Sequence, residues 1–125
     1  MKNPVNWFEI YVDDIKRAQT FYQALLNIEF SDLSDPSDDS IIMKAFPSVM
    51  EEYGITGALV KMEGVSAGQN SVMVYFACDD CAVEESRVES AGGKVIRPKF
   101  DIGEFGFISI ITDTEGNTVG LHSRQ

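Results

Sequence analysis

The stretch "YVDDIKRAQTFYQALLNIEF" (residues 11–30) has a counterpart in "ACDDCAVEESRVESAGGKVI" (residues 77–96), 66 residues further along the chain. Each copy contains the end of a strand pattern, an Asp-Asp pair, a helical pattern and the start of another strand. Aspartate favours helix starts because its side chain accepts hydrogen bonds from the backbone N–H groups of the first turn. Since strand, cap, helix and strand recur together, the sequence indicates an internal duplication.

Apolar periodicity predicts the elements around these two copies. The first half has a strand pattern at 5–12, a helix that starts at Asp13 or Asp14, and strands at 28–33, 41–46 and 57–63. The second half has a strand at 71–78, a helix from Asp79 or Asp80 to about Ala91, and strands at 94–100, 105–113 and 118–123. We therefore predict one α+β domain over residues 1–125, built from two βαβββ modules at about 4–63 and 71–125, with a linker at 64–70.

Composition excludes several classes of function. The 125 residues carry a net charge of −10, with a pI of about 4.4, which opposes binding to the phosphate backbone of nucleic acid. No apolar run approaches the roughly 20 residues of a membrane span. The first residues, "MKNPVNWFEI", lack the pattern of a signal peptide. We therefore expect a cytoplasmic protein that binds neither nucleic acid nor membranes.

Cys78 and Cys81 form a C-x-x-C pair at the predicted start of the second helix. A helix N-terminus lowers the pKa of a thiol, so a redox role is one interpretation. The negative charges of Asp79 and Asp80 oppose a thiolate, and two thiols supply only half of a zinc site. The alternative is that both are ordinary buried or helix-start thiols.

The two modules, the "V-D-D…R-A…F-Y…L" start of the first helix and the "D-x-E-G-N…G-L-H" ending together resemble the vicinal oxygen chelate superfamily. That superfamily holds glyoxalases, bleomycin-resistance proteins and extradiol dioxygenases. The resemblance implies paired βαβββ modules with curved mixed sheets around a cavity, in a protein that forms homodimers. In the metalloenzymes of the group, four His, Glu or Gln ligands from the first and last strand of each module hold a divalent metal.

The residues that match those four ligand positions are not metal ligands here. They are Trp7, a residue of "GALV" (57–60), Met73 and Gly120. Tryptophan, glycine and aliphatic side chains do not ligate metals, and methionine is a poor ligand for a hard divalent ion. We therefore predict no standard metal site and no required cofactor, and a weakly held divalent metal elsewhere stays open.

Glu9 and the only histidine, His122, each lie two residues beyond a ligand position of the superfamily that holds no metal-binding side chain here. Because side chains alternate along a strand, both are expected to face the cavity. One hypothesis is a metal-free acid/base pair in which His122 moves a proton and Glu9 orients the ring or acts as the base. A displaced, weak metal site is a second version. The alternatives are a solvated His122 near the end of the sequence and a Glu9 that pairs with Lys61.

Several aromatic and apolar residues are predicted to line a flat apolar pocket, with Lys61 near its mouth: Trp7, Tyr11, Met73, Tyr75 and Phe107. Residues 47–56 are a candidate flap with Met50 and Tyr53 facing inward. The leading functional prediction is a protein of the bleomycin-resistance kind that binds a small, partly apolar or aromatic molecule. The alternatives are a lyase or isomerase that uses Glu9 and His122, and a protein-interaction module with a vestigial cavity.

Overall fold

Two four-stranded mixed sheets with the same strand order form the framework of the computed structural model, which describes residues 5–34, 36–68, 70 and 72–125. The first module comprises β1 (Phe8–Tyr11), α1 (Ile15–Leu26), β2 (Ser31–Asp32), β3 (Ile41–Ala45) and β4 (Gly57–Met62). The second comprises β5 (Tyr75–Ala77), α2 (Cys81–Glu85), β6 (Lys94–Asp101), β7 (Phe107–Thr112) and β8 (Thr118–Ser123). A 3-10 turn, Gly103–Phe105, precedes β7.

The sheet orders are β1-β4-β3-β2 and β5-β8-β7-β6. In each sheet the first strand pairs in parallel with the last strand of its module, and the other pairings are antiparallel. This shared topology confirms the predicted α+β fold with two βαβββ modules. Residues 4, 69 and 71, at the predicted module boundaries, lie outside the described residues.

Helix α1 begins where the sequence predicts. Asp14 is its N-cap, and the Asp14 carboxylate accepts a hydrogen bond of 3.0 Å from the backbone N–H of Arg17. The helix ends at Asn27, whose φ of 55° places it in the left-handed region that asparagine tolerates better than most residues. The buried face of α1 consists of Ala18, Phe21, Tyr22 and Leu25.

Helix α2 is shorter than predicted, because it ends at Glu85 instead of about Ala91. The Ser86 hydroxyl donates to the carbonyl of Val83, and the Ser90 hydroxyl donates to that of Arg87. Serine side chains compete in this way with regular helical hydrogen bonds, so the chain continues to Gly92 as tight turns.

One hydrophobic core joins the helices to one face of both sheets. It combines Ile10, Phe46 and Leu59 of the first module with Ile111 and Leu121 of the second. Phe8 lies in β1 and Phe76 in β5, the first strand of each module. Their rings meet edge to face, with 6.0 Å between the centroids. The opposite faces of β1 and β5 therefore remain outside this core. No helix in the described ranges has the length and apolar character needed to cross a bilayer.

Candidate functional site

A groove of about 1070 Å³ lies over the faces of β1 and β5 that the core leaves free. Six of the predicted site residues line it: Trp7, Glu9, Tyr11, Met73, Tyr75 and His122. The alternating side-chain directions along β1 explain the positions of Trp7, Glu9 and Tyr11. The side chain of Ile10 points into the core, so those of its neighbours point away from it. Residues 65–68, Asn70 and Val72 of the connecting segment contribute further lining.

Lys61 and Phe107 do not line this groove, in contrast to the prediction. Lys61 shares a face of β4 with the core residue Leu59, and it lines a separate shallow depression with Asp39 and Glu63. Phe107 packs against the core beneath the Lys99 ammonium group, 4.7 Å from its ring centroid. Both residues are one strand position away from the groove face, and a shift of one residue reverses the direction of a side chain.

The Glu9 carboxylate is held by two aromatic neighbours on its own strand face. Trp7 Nε1 donates to Oε2 at 3.2 Å, and the Tyr11 hydroxyl donates to Oε1 at 2.9 Å. The hydrogen bond to Glu9, followed by burial and the charge of Glu9, raises the pKa of Tyr11 above its usual value. The Tyr11 hydroxyl therefore keeps its proton and acts as a fixed donor.

His122 lines the same groove but is held by a different group. Its Nε2 lies 2.7 Å from the carbonyl oxygen of Phe105, in the 3-10 turn before β7. Because a carbonyl oxygen only accepts, Nε2 carries a proton and donates it to this hydrogen bond. Glu9 and His122 share a groove but no hydrogen bond, so Glu9 does not orient the His122 ring as the acid/base hypothesis supposed.

The residues at the standard metal positions do not fit a divalent metal. Trp7 uses its indole N–H on Glu9, and Ala58, which pairs with Glu9 in register, has no donor atom. A side chain at Gly120 would clash with the ring of Tyr75, so this ring covers the fourth position. Within the described ranges, no group of three or more His, Cys, Asp or Glu side chains is placed to hold a metal ion.

The candidate flap contributes part of the groove wall. Tyr53, Gly54 and Ile55 line the groove, whereas Met50 does not and is 92% exposed. Only the second half of the segment therefore contacts the site.

The environment of the C-x-x-C pair opposes thiolate chemistry. Burial, together with the nearby Glu84 carboxylate, raises the pKa of the Cys78 thiol to about 12. Cys81 is fully buried, and its backbone N–H donates to the hydroxyl of Ser123. Both cysteines are free thiols, with Cys81 buried and Cys78 half-buried, which agrees with the interpretation as ordinary buried or helix-start thiols.

The turn between β7 and β8 connects the two modules, a role that the sequence pattern does not indicate beyond a turn and a family motif. Asp113 accepts the hydroxyl of the buried Tyr22 at 2.8 Å, which ties the turn to α1. The Asn117 amide donates to the Tyr11 carbonyl and accepts from the backbone N–H of Gly68. The available signal in the sequence is three polar residues spaced two positions apart, Asp113, Glu115 and Asn117. All three are buried in the structure.

Comparisons with known proteins agree with this architecture. A family model described as the Glyoxalase/Bleomycin resistance protein/Dioxygenase superfamily matches residues 5–121. The chain is 29% identical over 117 residues to "Putative glyoxylase CFP32" of Mycobacterium tuberculosis, which covers 93% of this chain and 44% of that protein. It is 27% identical to "Anthracycline biosynthesis protein DnrV" of Streptomyces peucetius, covering 88% of this chain and 43% of the relative. The chain thus spans less than half the length of these curated relatives.

Solved structures share the fold at lower identity. Glyoxalase I from Zea mays superimposes with a TM-score of 0.77 and 20% identity, over 97% of this chain and 46% of the maize chain. A glyoxylase/bleomycin resistance protein/dioxygenase domain from Frankia sp. EAN1pec has a TM-score of 0.72 and 15% identity, with all of both chains covered. At these identities the likeness shows the fold.

Proposed function

Because the chain belongs to the glyoxalase/bleomycin resistance protein/dioxygenase superfamily, we propose that it binds a small, partly apolar or aromatic molecule in the β1–β5 groove. The observation that carries this proposal is a concave surface with large apolar side chains left in contact with solvent. Trp7 is 38% exposed, Met73 37% and Tyr75 48%, although the core beneath them is closed. Exposed apolar side chains gathered in a concave surface are typical of ligand sites.

A ligand that shields these side chains stabilises the folded state by mass action, so the proposal is tested by thermal unfolding. The probe is 2-naphthol, titrated in buffer that contains EDTA. We expect a saturable rise in Tm for the parent and for Val83→Ala, and its loss in Tyr75→Ala. Val83 is a matched control because it is also 48% exposed but lies on α2, outside the groove. A Tm that does not respond, or that responds equally in both variants, contradicts the proposal.

The groove also supports a homodimer. One side of the groove is open in a single chain, and the relatives that the chain matches are more than twice as long as the matched region. A second copy would supply the missing cover. Light scattering after size exclusion at micromolar concentration is expected to give twice the chain mass of 13.8 kDa. A monomer mass at all concentrations rules this part out.

A lyase or isomerase is the second candidate, because Glu9 and His122 do line one groove and His122 Nδ1 has no partner among the described residues. Its metal-assisted version is tested by elemental mass spectrometry after dialysis against nickel, zinc and manganese in turn. A stoichiometric metal that both Glu9→Gln and His122→Ala lose supports this candidate. Absence of a retained metal eliminates the metal-assisted version.

A further inference from the structure

Glu9 supplies the negative charge of the described groove lining, and the one basic side chain there, His122, is hydrogen-bonded to the Phe105 carbonyl and not to Glu9. Glu9 is the only Asp or Glu among the described lining residues, and that lining contains no Lys or Arg. Glu9 takes part in no ion pair with the residues that the structure describes. Its two hydrogen bonds come from neutral donors, Trp7 and Tyr11. The groove therefore presents an exposed carboxylate without a counter-charge.

Covering such a carboxylate with a neutral ligand is unfavourable. A carboxylate that loses its hydration without gaining a positive partner weakens binding, even with two hydrogen bonds in place. A ligand that fills the groove over Glu9 has to replace that hydration. An ammonium group does so through charge attraction, whereas a ligand carboxylate or phosphate at this place is repelled.

The neighbours of Glu9 add a second preference for a cation. The polar edges of Trp7 and Tyr11 are turned towards the two oxygens of one carboxylate, so both rings flank it. The ring of Tyr75 faces the same groove. Aromatic faces attract organic cations because the ring quadrupole is negative there, and Trp and Tyr are the most effective rings.

We propose that the ligand is an organic cation, with a quaternary or protonated alkylammonium group over Glu9 and an aromatic or apolar body along Tyr75 and Met73. This inference rests on the proposed function, since it concerns the same groove. It assigns Glu9 to ligand selectivity, with Trp7 and Tyr11 as the residues that hold its carboxylate in place.

The test compares three probes of similar shape by calorimetric titration. They are the cation 3-hydroxyphenyltrimethylammonium, its neutral analogue 3-tert-butylphenol and the anion 3-hydroxybenzoate. For the parent we expect the cation to bind at least tenfold more tightly than the phenol, and the anion more weakly than both. In Glu9→Gln the ratio of the cation and phenol affinities is expected to fall at least fivefold, to the smaller preference that the aromatic rings supply by themselves. Glu89→Gln, which changes an exposed acid outside the groove, is expected to keep the parent ratio.

The possible outcomes separate this inference from the proposed function. If the phenol binds and the cation binds no better, the cation inference is overturned and the groove remains a ligand site. If Glu9→Gln keeps the parent ratio, the selectivity does not come from Glu9 and the inference is also overturned. If none of the three probes binds to the folded parent, both proposals fail together.

Discussion

Glu115 attaches the second module to the first through hydrogen bonds and an ion pair. Its buried carboxylate accepts the backbone N–H groups of Asp13 and Asp14 at 3.1 and 2.9 Å. The Arg17 guanidinium donates to it through Nε at 2.6 Å and Nη2 at 2.8 Å. A single side chain from the β7–β8 turn therefore accepts the hydrogen bonds of the backbone N–H groups that precede α1, a helix of the other module.

Replacing Glu115 with Gln removes the charge but keeps the shape. An amide accepts fewer hydrogen bonds and leaves Arg17 without its partner, so we expect the free energy of unfolding to fall by about 2 kcal/mol. Urea unfolding followed by circular dichroism measures this change. Glu89→Gln is the matched control, because Glu89 is exposed, and it is expected to stay within about 0.5 kcal/mol of the parent. Equal stability of the two variants would contradict the bridging role.

The pH dependence of stability provides a second test at the same residue. Burial alone would raise the pKa of Glu115, but hydrogen bonds from Arg17, Asp14 and Thr114 outweigh it and lower the pKa to about 2. Because the folded-state pKa lies below the usual 4.5, this stabilisation is complete above about pH 5 and is lost as pH falls towards 2. Unfolding curves from pH 7 to 2.5 are expected to show a smaller loss in Glu115→Gln than in the parent. A parallel loss in both proteins would exclude Glu115 as its source.

At the residue scale, the sequence predicts the direction of a side chain on a strand better than it predicts the hydrogen-bond partner of that side chain. Period-two alternation correctly places Trp7, Glu9 and Tyr11 on one face, because β1 has no bulge. The chemistry of Lys61 and Phe107 predicts a place in the groove, whereas their strand positions direct these side chains to the opposite face. The hydrogen-bond partner of the His122 ring was not predictable. The Phe105 carbonyl belongs to a 3-10 turn that no sequence pattern indicates.

At the scale of single elements, the two helices show how strongly a local signal determines a boundary. Both begin at the second Asp of their Asp-Asp pair, since Asp14 and Asp80 are the N-caps. Their ends differ because serine side chains interrupt the second helix after Glu85. Helix starts could therefore be predicted from the sequence, whereas the end of α2 required knowledge of side-chain hydrogen bonds.

The contribution of the α1 N-cap to the free energy of unfolding can be measured. Asp14→Ala removes the acceptor for the Arg17 N–H and is expected to reduce the free energy of unfolding by about 1 kcal/mol. Asp14→Asn keeps a side-chain oxygen at the same place and is expected to remain close to the parent. Chemical denaturation of the three proteins decides the matter. If Asn is as destabilising as Ala, the cap hydrogen bond is not the cause.

The pairing of β5 with β8 explains why one standard ligand position is a glycine. Tyr75 and Gly120 are register partners, and the Tyr75 ring occupies the space that a side chain at position 120 would need. Gly120→Ala is therefore expected to destabilise the fold by about 1–3 kcal/mol. In a Tyr75→Ala background the same substitution is expected to cost much less. A double-mutant cycle by thermal unfolding measures this coupling, and additive effects would show that the ring does not occupy that space.

At the scale of the whole molecule, the duplication seen in the sequence predicts the architecture, because the two modules form sheets with the same strand order. The family resemblance predicts a groove, but the width of the groove depends on how the core spaces β1 and β5. The rings of Phe8 and Phe46 in the first module both contact the ring of Phe76 in the second module, between the two sheets. Such contacts follow from side-chain packing between modules, which no local sequence pattern specifies.

The most direct test of the central claim is to map where a small aromatic molecule binds to the folded chain. A series of ¹H–¹⁵N correlation spectra of the labelled protein, titrated with 3-hydroxyphenyltrimethylammonium in buffer containing EDTA, makes that measurement. Saturable shifts concentrated at the indole N–H of Trp7 and the amides of Glu9, Tyr75 and Val119, which line the groove, are the predicted result. Shifts confined to other surfaces, such as the Lys61 depression, or no saturable shifts at all, would contradict the account.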